Sequence, residues 1–235
     1  MVEFEGNHWY NYVIKLNTGG YDMSSRRLVH FFFSTLLLGG ITAGIVGLSS
    51  RWEQYGPLFS SGAFGELFMA FVWLVGVGFI FSVISQMGFF AYLTIHRFGL
   101  GVFKSLWNAV QLVLIGFVLF DLVYLRYTAF AEEEESVISY VAVAGALLIV
   151  GLIVAYVKMK QTNKQAFIPT LFFMIVATII EWVPVLRENS GGWFYFMLIP
   201  LLACNAYQIL TLHKINEKSA VDLQYKKGKS LNIHN

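Results

Sequence analysis

Apolar residues dominate six long stretches of this chain, at about residues 28–49, 64–93, 105–125, 137–157, 167–186 and 192–212. Polar and charged residues collect in the short segments between them. A helix needs about 20 mostly apolar residues to cross the hydrocarbon core of a bilayer, and each stretch is long enough. The pattern predicts an all-α fold: a polytopic membrane protein built as a six-transmembrane-helix bundle. The second stretch has about 30 residues, which at about 1.5 Å each exceeds the core, so it tilts or projects past the cytoplasmic surface. The domains that follow are a cytoplasmic segment 1–27, a membrane domain 28–213 and a basic cytoplasmic tail 214–235.

Composition agrees. The 235 residues are 57% hydrophobic and only 13% charged, with mean hydropathy +0.64. Soluble domains carry roughly twice that charge. The net charge of +2 says little, but its distribution says much. The segments before span 1, between spans 2 and 3, between spans 4 and 5, and after span 6 hold 13 of the 16 basic residues. The opposite loops hold only Arg51, Arg126 and Arg187. The positive-inside rule then places both termini in the cytoplasm and the protein in the cytoplasmic membrane. The lone Cys204 can form no intramolecular disulfide.

The start of the chain carries no secretory signal, because it lacks an apolar region and a small-residue cleavage site. Residues 1–22 have mixed composition and weak periodicity, whereas MSSRRLVHFFF from Met23 is an ordinary beginning for a chain whose N-terminus stays inside. Gly19-Gly20 can be encoded by a ribosome-binding sequence at the correct spacing, so Met23 competes with Met1 as the true start. The alternative is a short interfacial segment with Trp9, Tyr10, Tyr12 and Ile14 at the headgroups.

Three carboxylates fall inside the apolar stretches. Glu66 opens span 2, Asp121 lies near the end of span 3, and Glu181 lies near the end of span 5. All three are expected near the external surface. Intramembrane acids are costly, about 2.5–3.5 kcal/mol at the bilayer centre on insertion scales, and tend to face the bundle interior or a wet cavity. Each has an arginine nearby in sequence: Arg51 before Glu66, Arg126 after Asp121, Arg187 after Glu181. Two readings stand. Acids and arginines form polar helix ends stapled by salt bridges, or Glu66, Asp121, Arg126, Glu181 and Arg187 line an outward-facing pocket for a ligand or partner. Further inward only Gln86, Asn108, Gln111, Asn205 and Gln208 are polar, and they cluster toward the cytoplasmic half.

The segment TIHRFGLGVFKSLWNAVQ, residues 94–111, is the second dense region. His96, Arg97 and Lys104 bracket FGLGVF, whose glycines allow a tight turn. These residues suit anionic headgroups or a cytoplasmic partner. The G-x-G follows no strand and is no nucleotide motif. No GxSxG, HExxH, P-loop or CxxC occurs, and no catalytic residue, cofactor or nucleic-acid surface is identified. The Glu132–Glu135 run lacks the spacing of a calcium loop, and no metal site is expected. Gly40, Ala43, Gly44 and Gly47 form a small-residue stripe. It allows close helix packing within the chain or a homodimer through the Gly40/Gly44 face. Pro184 and Pro200 predict kinks or breaks.

The stretches SRRLVHFFFSTLLLGGITAGIVG (25–47), SQMGFFAYLTIHRFGLGVFKSLWNAVQ (85–111) and LFDLVYLRY (119–127) resemble the KinB-signalling pathway activation family, the KbaA-type membrane proteins of spore-forming bacteria. The resemblance covers about residues 23–213. It implies activation of a membrane sensor histidine kinase that feeds sporulation, with no enzymatic activity and no established ligand. It offers no catalytic residue to carry over.

The competing function is a small ion- or solute-coupled transporter. It requires a path from Asp121 and Glu181 to Asn108, Gln111 and Asn205. A membrane enzyme would require polar groups converging in one pocket.

Overall fold

The computed structural model describes residues 25–131, 137–186 and 191–231. Every element in it is helical: α1 Ser25–Ser50, α2 Trp52–Ser60, α3 Phe64–Phe103, α4 Trp107–Phe130, α5 Val137–Gln161, α6 Phe167–Phe172, α7 Thr178–Leu186 and α8 Gly191–Leu231. Short 3₁₀ turns at Lys104–Leu106 and Lys164–Ala166 precede α4 and α6, and a π-helical turn, Phe173–Ala177, joins α6 to α7. Residues 32–211 form one compact unit; Ser25–Phe31 and Leu212 onward belong to a second. The first 24 residues, with both proposed start sites, lie outside the described residues, as do Glu132–Glu135 and Arg187.

Several helices are long and apolar enough to cross a membrane. Among the described residues five such runs occur, at Ser25–Ser50, Phe64–Ala129, Val137–Gln161, Lys164–Leu186 and Trp193–Asn216. The 66 residues of the second run would measure about 100 Å as one helix, three times the core thickness. The chain breaks it at Lys104, a non-glycine residue at φ 50. Two helices of 40 and 24 residues result, α3 and α4.

The break corrects the sequence reading of the 94–111 segment. FGLGVF is no turn: α3 continues through Gly99 and Gly101 to Phe103. Gly99 has another use. A Cβ there would collide with the indole of Trp107, so its absence lets the first residue of α4 lie flat on α3. Pro184 and Pro200 also leave their helices unbroken. The irregularity in this part of the chain is the π turn instead.

The small-residue stripe packs inside the chain. A Cβ on Gly40 would meet Phe79, and one on Gly44 would meet Phe71. Gly78 of α3 answers with its own close approach to Ala43 and the Gly39 carbonyl. Of the two uses expected for this face, packing within the chain is the one seen: α3 covers it. Close backbone approach of this kind is what small residues contribute where lipid supplies no hydrophobic drive for helix pairing.

Aromatic rings fill the interior. Phe173 of the π turn packs edge-on to Phe89 at 5.5 Å and lies 4.8 Å from the Tyr92 ring. The Tyr92 hydroxyl donates to Pro169 O at 3.0 Å. Trp182 is fully buried beside Phe194, and its Nε1 donates to Phe194 O at 3.2 Å. Lys158, placed by sequence in a cytoplasmic loop, is tucked into the bundle with its Nζ on Ile209 O at 2.6 Å. The outside is apolar too: Phe33, Phe68, Trp73, Phe117 and Ile153 are all exposed. A helix bundle apolar on both its inner and outer faces fits a membrane protein.

Candidate functional site

The structure gathers buried polar side chains from three helices into one bonded chain. Thr178 and Glu181 stand three residues apart on α7, Asn205 and Gln208 three apart on α8, and Ser85 on α3. Residues three apart share a helix face, so each pair points the same way. Asn205 Nδ2 donates to Thr178 Oγ1 at 2.9 Å and to Glu181 Oε2 at 2.8 Å. Ser85 Oγ donates to Asn205 Oδ1 at 2.7 Å, and Gln208 Nε2 donates to Ser85 Oγ at 2.6 Å. All five are buried. One turn away Ser82 Oγ donates to Thr35 O at 2.8 Å and sits 3.3 Å from Cys204 Sγ.

Glu181 reaches this chain because of helix geometry. Side chains on an α-helix lean toward its N-terminus. From α7 that lean carries the carboxyl back toward the π turn, away from the helix end where the sequence placed it. Gly88 makes the room: a Cβ there would collide with the Glu181 carboxyl. The acid expected near the surface is thus joined to amides expected in the opposite half.

The other acids do not join it. Glu66 is exposed and Asp121 partly buried. Neither bonds to Glu181, and no ion pair links Glu66, Asp121 or Glu181 to an arginine among the described residues. Two of the arginines lie against aromatic rings. Arg51 lies 4.8 Å over the Trp193 ring and 5.3 Å over Phe196. Arg126 lies 4.2 Å over Phe194 and 5.6 Å over Tyr140. A guanidinium on a ring face is attracted by the ring quadrupole, by about 0.5–2 kcal/mol.

Of the three residues in the 94–111 segment, His96 is engaged: its Nδ1 accepts from Trp107 Nε1 at 3.0 Å. Arg97 and Lys104 are exposed. Of the residues needed for a transport path, Glu181 and Asn205 meet, Gln111 is buried apart from their bonded chain, and Asn108 is exposed. The Gln86 and Gln111 amides are buried without hydrogen-bond partners. No group of three His, Cys, Asp or Glu side chains that could hold a metal occurs among the described residues.

The comparisons decide the family. A profile described as KinB-signalling pathway activation in sporulation, KbaA, matches residues 39–215. The chain is 50% identical over 198 residues to the KinB-signaling pathway activation protein of Bacillus subtilis (strain 168), covering 83% of this chain and all of that protein. The chain belongs to the KbaA family. No solved structure matches it. The KbaA match spans Ser85, Thr178, Glu181, Asn205 and Gln208, so the whole bonded chain lies within the family region.

Sequence reasoning linked Asn205 to Glu181 only as part of a transport path, named Gln208 without connecting it to either, and passed over Ser85, Gly88 and Thr178. A signal was present in this KbaA protein. Thr-Ile-Ile-Glu and Asn-Ala-Tyr-Gln place polar pairs at helical spacing inside apolar runs. Two such pairs on different helices need each other in a medium that offers no other partner.

Proposed function

We propose that this protein is an integral membrane regulator that activates a sensor histidine kinase in the signalling route to sporulation, through direct contact within and beside the bilayer. The observation that carries this reading is the 50% identity to a KinB-signaling pathway activation protein across that protein's full length. We further propose six crossings with both termini in the cytoplasm. The break at Lys104 supports counting α3 and α4 as two, and the concentration of basic residues in alternate loops supports the direction.

Two surfaces are suited to contact. The exposed apolar faces of the long helices can pack on the kinase's membrane segments. Arg97 and Lys104, exposed around the α3–α4 break, can meet a cytoplasmic partner or anionic headgroups. A regulator of this kind acts by binding one state of the kinase better than the other. The bonded interior serves the same end by fixing the bundle's shape, and catalysis has no place in the reading.

The test is brief crosslinking of a tagged copy in native membranes, affinity purification and identification of what is recovered. A sensor histidine kinase crosslinked through its membrane segments is the expected result. Recovery of no kinase, with the tagged copy complementing a deletion strain, overturns the contact reading. The Arg97→Ser, Lys104→Ser double variant isolates the second surface: unchanged kinase output at normal abundance removes it.

A further inference from the structure

We propose that Glu181 is a reversible proton-binding site inside the bundle, and that the proton it takes reverses the hydrogen-bond chain through Asn205, Ser85 and Gln208. The direction of that chain carries the argument. The observed order suits an ionised Glu181, which only accepts: Asn205 turns its amide nitrogen toward Glu181 Oε2. Its carbonyl then faces Ser85, which donates to it. Ser85, its proton spent, accepts from Gln208 Nε2. Each group is oriented by the one before it, and the carboxylate sets the first.

This arrangement leaves an oxygen stranded at each end. Glu181 Oε1 and Gln208 Oε1 are both buried without a hydrogen-bond partner, while Glu181 is 6% exposed and Gln208 fully buried. Both are acceptors, so the chain is short of a donor. Buried polar groups without partners are costly and rare. A proton taken from solvent onto Glu181 forms one O–H bond and cancels one negative charge; no other covalent bond changes. The carboxyl is then a donor. Asn205 turns its amide over, accepts from Glu181 and donates to Ser85. Ser85 then donates to Gln208, whose amide turns over as well: the Nε2–Ser85 bond breaks, Oε1 accepts in its place, and Nε2 takes the position Oε1 held. The members of the chain lie on α7, α3 and α8, so one proton resets contacts among three helices.

The surroundings favour this exchange over a fixed ion pair. No Lys, Arg or His bonds to Glu181. Facing it, α3 presents Ser85 and Gly88, neither titratable. From α8, Cys204 is the neighbouring titratable group, and its thiol sits 3.3 Å from Ser82 Oγ. From α4, Asp121 is partly buried and unbonded to it. The π turn just before Thr178 inserts a residue into the helical register. Such turns are found frequently at working sites, and this one presents Thr178 and Glu181 together to Asn205.

Infrared spectra of the full chain in lipid nanodiscs, recorded as pH is stepped from below the ordinary carboxylate range to above neutral, test the proposal. A protonated-carboxyl band that titrates, vanishes in Glu181→Gln and persists in Asp121→Asn and Glu66→Gln is expected. A band unchanged in Glu181→Gln, or no carboxyl band at any pH, overturns it. If Glu181→Gln does not accumulate, Asn205→Ser keeps the carboxyl and removes its bonded amide. The band must then change in position or midpoint, and an unchanged band overturns the proposal. Kinase contact plays no part in either result.

Discussion

Asn205 holds Glu181 from across two helices, its amide nitrogen 2.8 Å from Oε2. The same nitrogen bonds Thr178 at 2.9 Å and the same side chain's oxygen takes the Ser85 proton at 2.7 Å. One residue thus ties α3, α7 and α8 together. Asn205→Leu fills the space and removes every one of these bonds. Orphaning a buried polar group costs about 1–3 kcal/mol, so a loss of several kcal/mol is expected in thermal unfolding of the detergent-solubilised protein. A variant as stable as wild type would mean that the network does not hold the helices.

Gly88 and Glu181 are coupled through space. Gly88→Ala places a methyl group where the Glu181 carboxyl lies. The carboxyl must move and lose Asn205, at about 1–3 kcal/mol. In Glu181→Ala the same methyl has room. The double variant is expected to be more stable than the sum of the two single losses predicts, a coupling visible in a double-mutant cycle. Additive losses would show that the two groups do not meet.

The glycines of the α1–α3 contact and those facing outward should respond oppositely. Gly40→Leu drives a side chain into Phe79 and is expected to destabilise by about 1–3 kcal/mol, the usual result of overpacking. A Cβ at Gly76 meets nothing. Gly76→Ala is expected to be neutral or to stabilise by up to about 1 kcal/mol through helix propensity. Unfolding midpoints of the two variants side by side decide this.

Labelling with a membrane-impermeant maleimide tests direction. Cys204 is fully buried and is expected to stay unlabelled in intact protein. In a Cys204→Ala background, Ser61→Cys after α2 should label from outside intact cells, and Ser105→Cys at the α3–α4 break only after permeabilisation. The reverse pattern would invert the proposed topology.

The sequence alone determined the long apolar helices, though not α2 or the continuation of α8 to Leu231. Long apolar runs have few alternatives in lipid, where every backbone N–H and C=O must be paired within its own segment. The expected run at 64–93 became α3 and that at 105–125 became α4, each extended by a few turns or fewer. The extension of α3 through FGLGVF was hidden because helical glycines and turn glycines look alike until Trp107 is seen lying against Gly99.

Tertiary structure decided who meets whom. Glu181 has Arg187 six residues away in sequence, yet its carboxyl bonds Asn205, 24 positions further along the chain. Proximity in sequence fixes neither the face nor the depth of a side chain. The lean toward the helix N-terminus, the register of the π turn and the space left by Gly88 fix both. For the same reason Arg51 and Arg126, both partly buried, find aromatic rings: such a cation settles on whatever charge-complementary surface the packed helices bring to it, and that surface exists only once they have packed.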